Sequence, residues 1–268
     1  MALGSKTTTD KKRPTLIWDI PTRVFHWLLV LAVSICLYTG FFGDFEAIDY
    51  HMLSGYGVLT LLLFRFAWGL TSKGNARFST FTPKPSSVLA YINGIHPPAH
   101  NSHNPLGALS VFAMLILLLL QAGTGLFAND DIFTEGPLSH LVSYETSLQL
   151  TSIHSINRWL LVGLLATHIV AILFYDLFKK QRLSIAMISG SRVAAEKTAE
   201  EKSMQQMSSE QITNESKASV NIVVEKTNIE ASIAGESNAS TPPRQQLLLA
   251  SILFAVSGLL VYGLVTYI

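Results

Sequence analysis

Residues 153–178 read IHSINRWLLVGLLATHIVAILFYDLF, and this stretch decides the fold. A bilayer's hydrocarbon core is about 30 Å thick and takes roughly 20 apolar residues in helical form to cross. The stretch is long enough, and it is mostly aliphatic. Yet it carries His154, Asn157, Arg158 and His168. Polar rings and guanidinium groups are costly in lipid, so such residues turn toward a bundle interior or a bound group. Residues 154 and 168 are fourteen apart; at about 100° each they return to within roughly 40° of one face. At about 1.5 Å per residue the two rings stand about 21 Å apart along the axis.

Four more runs of this kind flank it: Val24–Phe42, Met52–Leu70, Leu106–Phe127 and Leu247–Ile268. None shows the strict alternation of a membrane barrel strand. The chain of 268 residues is 49% apolar and only 14% charged. Soluble domains are nearer a quarter charged. The expectation is an all-α integral membrane protein: a four-helix transmembrane bundle, then a linker, then a fifth transmembrane helix. Lys11, Lys12 and Arg13 before the first run imitate a signal peptide. However, the apolar run is too long and no small-residue cleavage site follows, so a retained helix is expected.

Loop charges orient the bundle. Lys11, Lys12 and Arg13 precede the first run, Lys73, Arg77 and Lys84 follow the second, and Lys179, Lys180 and Arg182 follow the fourth. The other two loops lack Lys and Arg, and hold Asp44, Glu46 and Asp49, then Asp130, Asp131, Glu135 and Glu145. The positive-inside rule places the N-terminus in the cytoplasm and the C-terminus outside.

From about residue 191 to 245, Ser, Glu, Lys, Asn and Gln dominate, and Pro242-Pro243 closes the segment. Such composition buries too little apolar area to offset chain entropy. A disordered cytoplasmic linker is expected, with Val220–Val224 a possible exception. The division is then a tail at 1–15, a bundle at 16–190, the linker at 191–245 and a final helix at 246–268.

A net charge of +1 excludes an organisation around nucleic-acid phosphates. A single cysteine, Cys36, excludes a disulfide framework and any multi-cysteine metal site. Histidine placement carries more. His26 opens the first run near the cytoplasmic face, and His51 opens the second near the outer face. With the fourth helix entering from outside, His154 is level with His51, and His168 is level with His26. Two histidines at each of two heights suit two haems stacked across a membrane, each held by a histidine pair. For any one of the four, a helix–helix hydrogen bond is an equal reading; four matched in height are harder to explain that way. A mononuclear zinc site is disfavoured because the heights are too far apart for one ion.

Other stretches are informative in combination: Trp-Asp-Ile-Pro-Thr-Arg-Val-Phe-His-Trp at 18–27, His-Met-Leu-Ser-Gly-Tyr at 51–56, Phe-Arg-Phe-Ala-Trp-Gly at 64–69 and Ala-Arg-Phe at 76–78. They continue with His-Asn-Pro-Leu-Gly at 103–107, Gly-Leu-Phe-Ala-Asn-Asp-Asp at 125–131 and Asn157-Arg158-Trp159. Over about residues 16–190 the chain resembles the bacterial cytochrome b561 family, including the b-type cytochrome subunits of nickel–iron hydrogenases. The resemblance implies a four-helix core with haem b in the bacterial inner (plasma) membrane, exchanging electrons with the quinone pool. It also implies axial iron ligands at His26, His51, His154 and His168, paired 26 with 168 and 51 with 154. The linker and fifth helix lie outside that pattern and leave the partner open.

Arg23, Arg65, Arg158 and Asn157 sit at membrane depth or just inside its edge, where Arg suits anionic haem propionates. Arg23 could equally snorkel to the interface. For Arg65 and Arg158 a buried anion or hydrogen-bond partner is favoured. His96, His100 and His103 have metal-like spacing, but Pro97-Pro98 breaks any helix between the first two, so a solvated loop is expected. His103 also belongs to a stretch shared with the family. His140 stands without a companion ligand. Gly55, Gly57, Gly69, Gly107, Gly123 and Gly125 read either as helix-packing positions or as room for a flat ring. No Gly-rich phosphate loop, nucleophile elbow or nicotinamide fingerprint occurs.

Three functions compete. The leading one is a di-haem cytochrome b moving electrons between quinone or quinol and a periplasmic partner, either a c-type cytochrome or an oxidoreductase subunit of hydrogenase type. The acidic outer loops would suit a basic patch on it. The second is a self-contained quinol or superoxide oxidoreductase. The third is a haem-free anchor or transporter.

Overall fold

A computed structural model describes residues 15–44, 46–94, 105–132, 134–192 and 243–267. The N-terminal tail, His96, His100, His103 and residues 193–242, with Val220–Val224 among them, lie outside the described residues.

Among the described residues, five helices are long and apolar enough to cross a membrane. They are α1 (Ile20–Phe42), α2 (Ala47–Thr71), α5 (Pro105–Gly125), α6 (Tyr144–Leu177) and α8 (Pro243–Tyr267). Among the described residues, shorter α-helices join them: α3 (Phe78–Phe81), α4 (Pro85–Ile92) and α7 (Leu183–Ser189).

The apolar runs understate the helices because capping turns are polar. Asp19 accepts from Thr22 N at 2.9 Å and caps α1, with Pro21 in the first turn, where a missing N–H costs nothing. The fourth helix begins nine residues before the apolar run, at Tyr144, because Ser143 caps it. Its polar first turns are tied down: Ser147 donates to the Phe127 carbonyl at 2.7 Å, and Asn129 N donates to Thr151 Oγ1 at 2.9 Å.

α2 is the centre of the bundle. It packs against α1, α5 and α8, and α5 packs against α6. Leu62 and Trp68 of α2 are 0% and 1% exposed. Phe64 stacks on Trp68 with ring centroids at 6.2 Å and meets Phe25 of α1 at 6.3 Å and Phe254 of α8 at 5.9 Å. Within lipid there is no hydrophobic force between helices, so shape fit of this kind and interhelical hydrogen bonds hold the bundle. Each aromatic pair contributes about 0.5–1.5 kcal/mol beyond area. The fifth helix is therefore docked on the core, through Phe254, Ala250 and Val261, rather than set apart from it.

A clasp closes the end that carries the N-terminus of α1. Residues Thr15–Leu16 (β1) pair antiparallel with Ser191–Arg192 (β2). Ile17 N and Trp18 N both donate to the Gly190 carbonyl, at 2.8 and 3.1 Å. Gly190 ends α7 with φ +83°, and a Cβ there would stand 2.9 Å from the Trp18 carbonyl oxygen. Both the conformation and the space call for glycine.

Candidate functional site

His51 lies one turn into α2 and His154 ten residues into α6, and their ring centroids are 6.3 Å apart with planes at 75°. Metal–nitrogen bonds of about 2.0 Å on opposite sides of one ion would separate two imidazole centroids by roughly 6 Å. The spacing suits two ligands on a single ion.

The ring tautomers follow from the partners. His51 Nδ1 is 3.0 Å from the Cys36 carbonyl oxygen of α1. His154 Nδ1 is 3.0 Å from the Gln121 carbonyl oxygen of α5. A carbonyl oxygen only accepts, so in both rings Nδ1 carries the proton and donates. Nε2 is left with its lone pair, as a metal ligand requires. Glycines allow the close approach. A Cβ on Gly40 would stand 3.1 Å from His51 Cε1, and one on Gly125 would stand 3.0 Å from His154 Cε1. Gly55, one turn beyond His51 on the same face of α2, is half-buried, and a Cβ there would meet nothing within 4 Å. That position reads as room for a flat ring. Gly69 differs, because its missing Cβ admits the Phe78 ring.

Arg158 belongs to this level. It donates to the Gly40 carbonyl at 3.4 Å, lies 4.7 Å from the Phe41 ring centroid, and its charge acts on both His51 and His154. Its Nε is buried with no hydrogen-bond partner. Asn157 is 2% exposed and braces α6 to α5 by donating to the Leu117 carbonyl at 2.9 Å and to Gln121 Oε1 at 2.7 Å.

His26 and His168 form the second level. His168 is near enough to act electrostatically on His26, and the Trp27 ring meets His26 edge-on at 5.3 Å. His26 Nδ1 is buried without a hydrogen-bond partner, as is Arg23 Nε. Arg23 Nη1 donates to the Ile188 carbonyl at 2.6 Å and so holds α7 against α1. Arg65 serves the adjoining loop. It donates to the Ala76 carbonyl at 3.0 Å and its guanidinium lies 4.6 Å from the Phe78 ring centroid. His140 is exposed on the loop before α6.

Among the described residues no three His, Cys, Asp or Glu side chains gather as a metal cage. Donors come in pairs, the set that suits an iron already holding four porphyrin nitrogens. The residues present thus fit haem: paired imidazoles with free Nε2 at one level, unspent buried donors at both, and open space beside Gly55. Where it bound, His51 and His154 would hold one group, His26 and His168 would supply the donors at the other level, and Arg158 would face anionic substituents.

Sequence reasoning overlooked the supports. Cys36-Leu-Tyr-Thr39-Gly40-Phe41-Phe42 of α1 and Gln121-Ala-Gly-Thr124-Gly125-Leu126-Phe127 across the end of α5 share a Thr-Gly-x-Phe signature at the same register to the residue whose carbonyl accepts from the ring. That short repeat was the available signal.

Comparison with known proteins adds a second line. The family model described as prokaryotic cytochrome b561 matches residues 17–190. A protein of Rhizobium leguminosarum bv. viciae, named as a probable Ni/Fe-hydrogenase B-type cytochrome subunit, is 23% identical over 221 residues, covering 68% of this chain and 90% of its own. The Escherichia coli K12 protein named as a probable Ni/Fe-hydrogenase 1 B-type cytochrome subunit is 21% identical over 212 residues, covering 66% and 89%. A similarly named protein of Cupriavidus necator is 22% identical over 229 residues, covering 70% and 91%. No solved structure matches the chain.

Proposed function

Because the chain belongs to the prokaryotic cytochrome b561 family, a family of membrane b-type cytochromes in electron transport, we propose that it binds two haems b and carries electrons between the quinone pool and a redox partner at the outer face of the bacterial inner membrane. The observation that carries this reading is the His51–His154 pair, two rings 6.3 Å apart with both Nδ1 atoms committed to backbone carbonyls.

Bound haem supplies a one-electron couple. The chain's own residues do the rest. His51 and His154 present lone pairs from fixed rings. His26 and His168 would supply theirs at the other level, about 21 Å away by helix rise, without such ties on the His26 ring. Arg158 offers positive charge to propionates, with Arg23 in the same role at the other level. The lipid-embedded helices exclude water and keep the local dielectric low.

The loop charges support an N-terminus in the cytoplasm and a C-terminus outside, with the His51–His154 level facing outward. The relatives' names support an oxidoreductase of hydrogenase type as the partner there, with a c-type cytochrome the other class that acidic outer loops would suit.

The test is haem stoichiometry by pyridine haemochrome on detergent-purified protein, with a dithionite-reduced-minus-oxidised spectrum and reduction by a quinol. Two b-type haems per chain, reducible by quinol, are expected. No haem after expression with adequate haem supply would overturn the proposal. Turnover of quinol or superoxide with no partner present would point to a self-contained oxidoreductase instead.

A further inference from the structure

Thr39 and Thr124 occupy matching places beside the two rings. Thr39 Oγ1 is 3.1 Å from His51 Nδ1, and Thr124 Oγ1 is 3.3 Å from His154 Nδ1. Each hydroxyl spends its own proton backward along its helix: Thr39 donates to the Ile35 carbonyl at 2.7 Å, and Thr124 to the Leu120 carbonyl at 2.7 Å. A hydroxyl that has donated its proton can only accept from a neighbour. Each Nδ1–H is therefore shared between a carbonyl oxygen and a threonine oxygen. The back-bond alone is no signature, because Thr60, Thr71 and Thr167 make it too. The imidazole beside it is what sets Thr39 and Thr124 apart.

The mirror extends one residue further. Gly40 follows Thr39 and Gly125 follows Thr124, and each glycine meets the Cε1 atom of the ring whose Nδ1 its threonine meets. Carbonyl, hydroxyl and bare glycine Cα thus bound each ring on one edge. They leave it little freedom to rotate about its Cβ–Cγ bond, and the planes stand at 75°.

We propose that Thr39 and Thr124 are positioning residues, which fix the orientation of His51 and His154 and raise their electron donation to the metal. This rests on the reading of that pair as axial ligands. An imidazole that donates a stronger Nδ1 hydrogen bond is a better base toward iron and favours the oxidised metal. Removing the acceptor shifts the balance toward the reduced form.

The experiment uses the full chain, purified with its haems, as Thr39→Val, Thr124→Val and the two Thr→Ser variants. Valine keeps the branched shape and deletes the oxygen; serine keeps the oxygen. Haem content, redox titration and low-temperature EPR are read for each. The expected result is unchanged haem content, with one haem of the two altered. Its potential rises by a severalfold change in the oxidised-to-reduced ratio at fixed poise, up to about tenfold, or about 59 mV. Its EPR signal moves away from the highly anisotropic low-spin form that near-perpendicular imidazoles give. Serine restores both. Loss of that haem in valine but not serine variants also supports the hydroxyl's role. Unchanged potential and EPR with both haems present would overturn the proposal while leaving the haem assignment standing. Equal loss in valine and serine variants would overturn it in favour of plain packing. A haem-free wild-type protein would instead strike the proposed function itself.

Discussion

The two histidine levels are built differently. At one, both rings are held by backbone carbonyls and threonine oxygens, with glycines beneath them. At the other, His26 Nδ1 and Arg23 Nε are buried with their hydrogen bonds unspent. A buried donor without a partner costs about 1–3 kcal/mol, so it persists only where something else relieves it. The first level is organised by the helices before any group arrives. At the second, the His26 ring has no such tie at Nδ1, although Arg158 Nε at the first level is unspent as well. A fold can thus carry two chemically alike sites that differ in who does the organising.

The sharpest way to break this comparison is to delete a ligand. His51→Ala or His154→Ala is expected to remove one haem and leave one, taking the pyridine haemochrome value from two per chain to one. His26→Ala or His168→Ala should remove the other. If the double variant His51→Ala/His168→Ala still held a full haem, the pairing of 51 with 154 and 26 with 168 would be wrong.

A gentler change tests the organised level alone. Alanine at Gly40 or Gly125 would put a Cβ 3.1 or 3.0 Å from a ring carbon, so the ring must yield by a few tenths of an ångström. Disturbed supports of metal ligands typically cost 10–100-fold in affinity. Haem loss from these variants, followed by transfer to an acceptor such as apomyoglobin, should be faster by about tenfold for one haem and unchanged for the other. Equal acceleration of both would mean that the levels are not independent.

The arginines separate in the same way. Arg158→Gln removes a charge that acts on both rings of the organised level, and should shift one haem's potential with little loss of thermal stability. Arg65→Gln removes a buried cation held by the Ala76 carbonyl and the Phe78 ring. A hydrogen bond to a charged group contributes about 1.5–3 kcal/mol, so this variant should melt several degrees lower with an unaltered spectrum. A spectral change in Arg65→Gln would assign it to a haem after all.

The spans were legible because an apolar run of bilayer length has few other uses. Their starts were not: Tyr144–Ser152 is polar, and only the Ser143 cap and the side-chain ties to Phe127 and Asn129 make it helical. The approach of His154 to His51 was legible from depth and face. The role of Arg65 was hidden, since its acceptor is a loop carbonyl eleven residues on that no helical spacing announces. The Thr39-Gly40 and Thr124-Gly125 supports were visible as a repeat but too short to stand out before the rings were seen against them. The short helices α3, α4 and α7 fall below the length at which an apolar pattern distinguishes a helix from a loop.

The smallest expected effect concerns the fifth helix. Phe254 meets Phe64 at 5.9 Å, on the aromatic column that runs to Trp68 and Phe25. Replacing Phe254 by Ala removes van der Waals contact between two helices in lipid, where there is no water to drive the loss further. A fall of a few degrees in thermal stability is expected, with both haems retained and their potentials unmoved. Loss of the His26–His168 haem would carry a different message. Phe64 packs on Phe25, which immediately precedes His26, so that outcome would make the aromatic column the support which His26 lacks in hydrogen bonds, and α8 its outer wall.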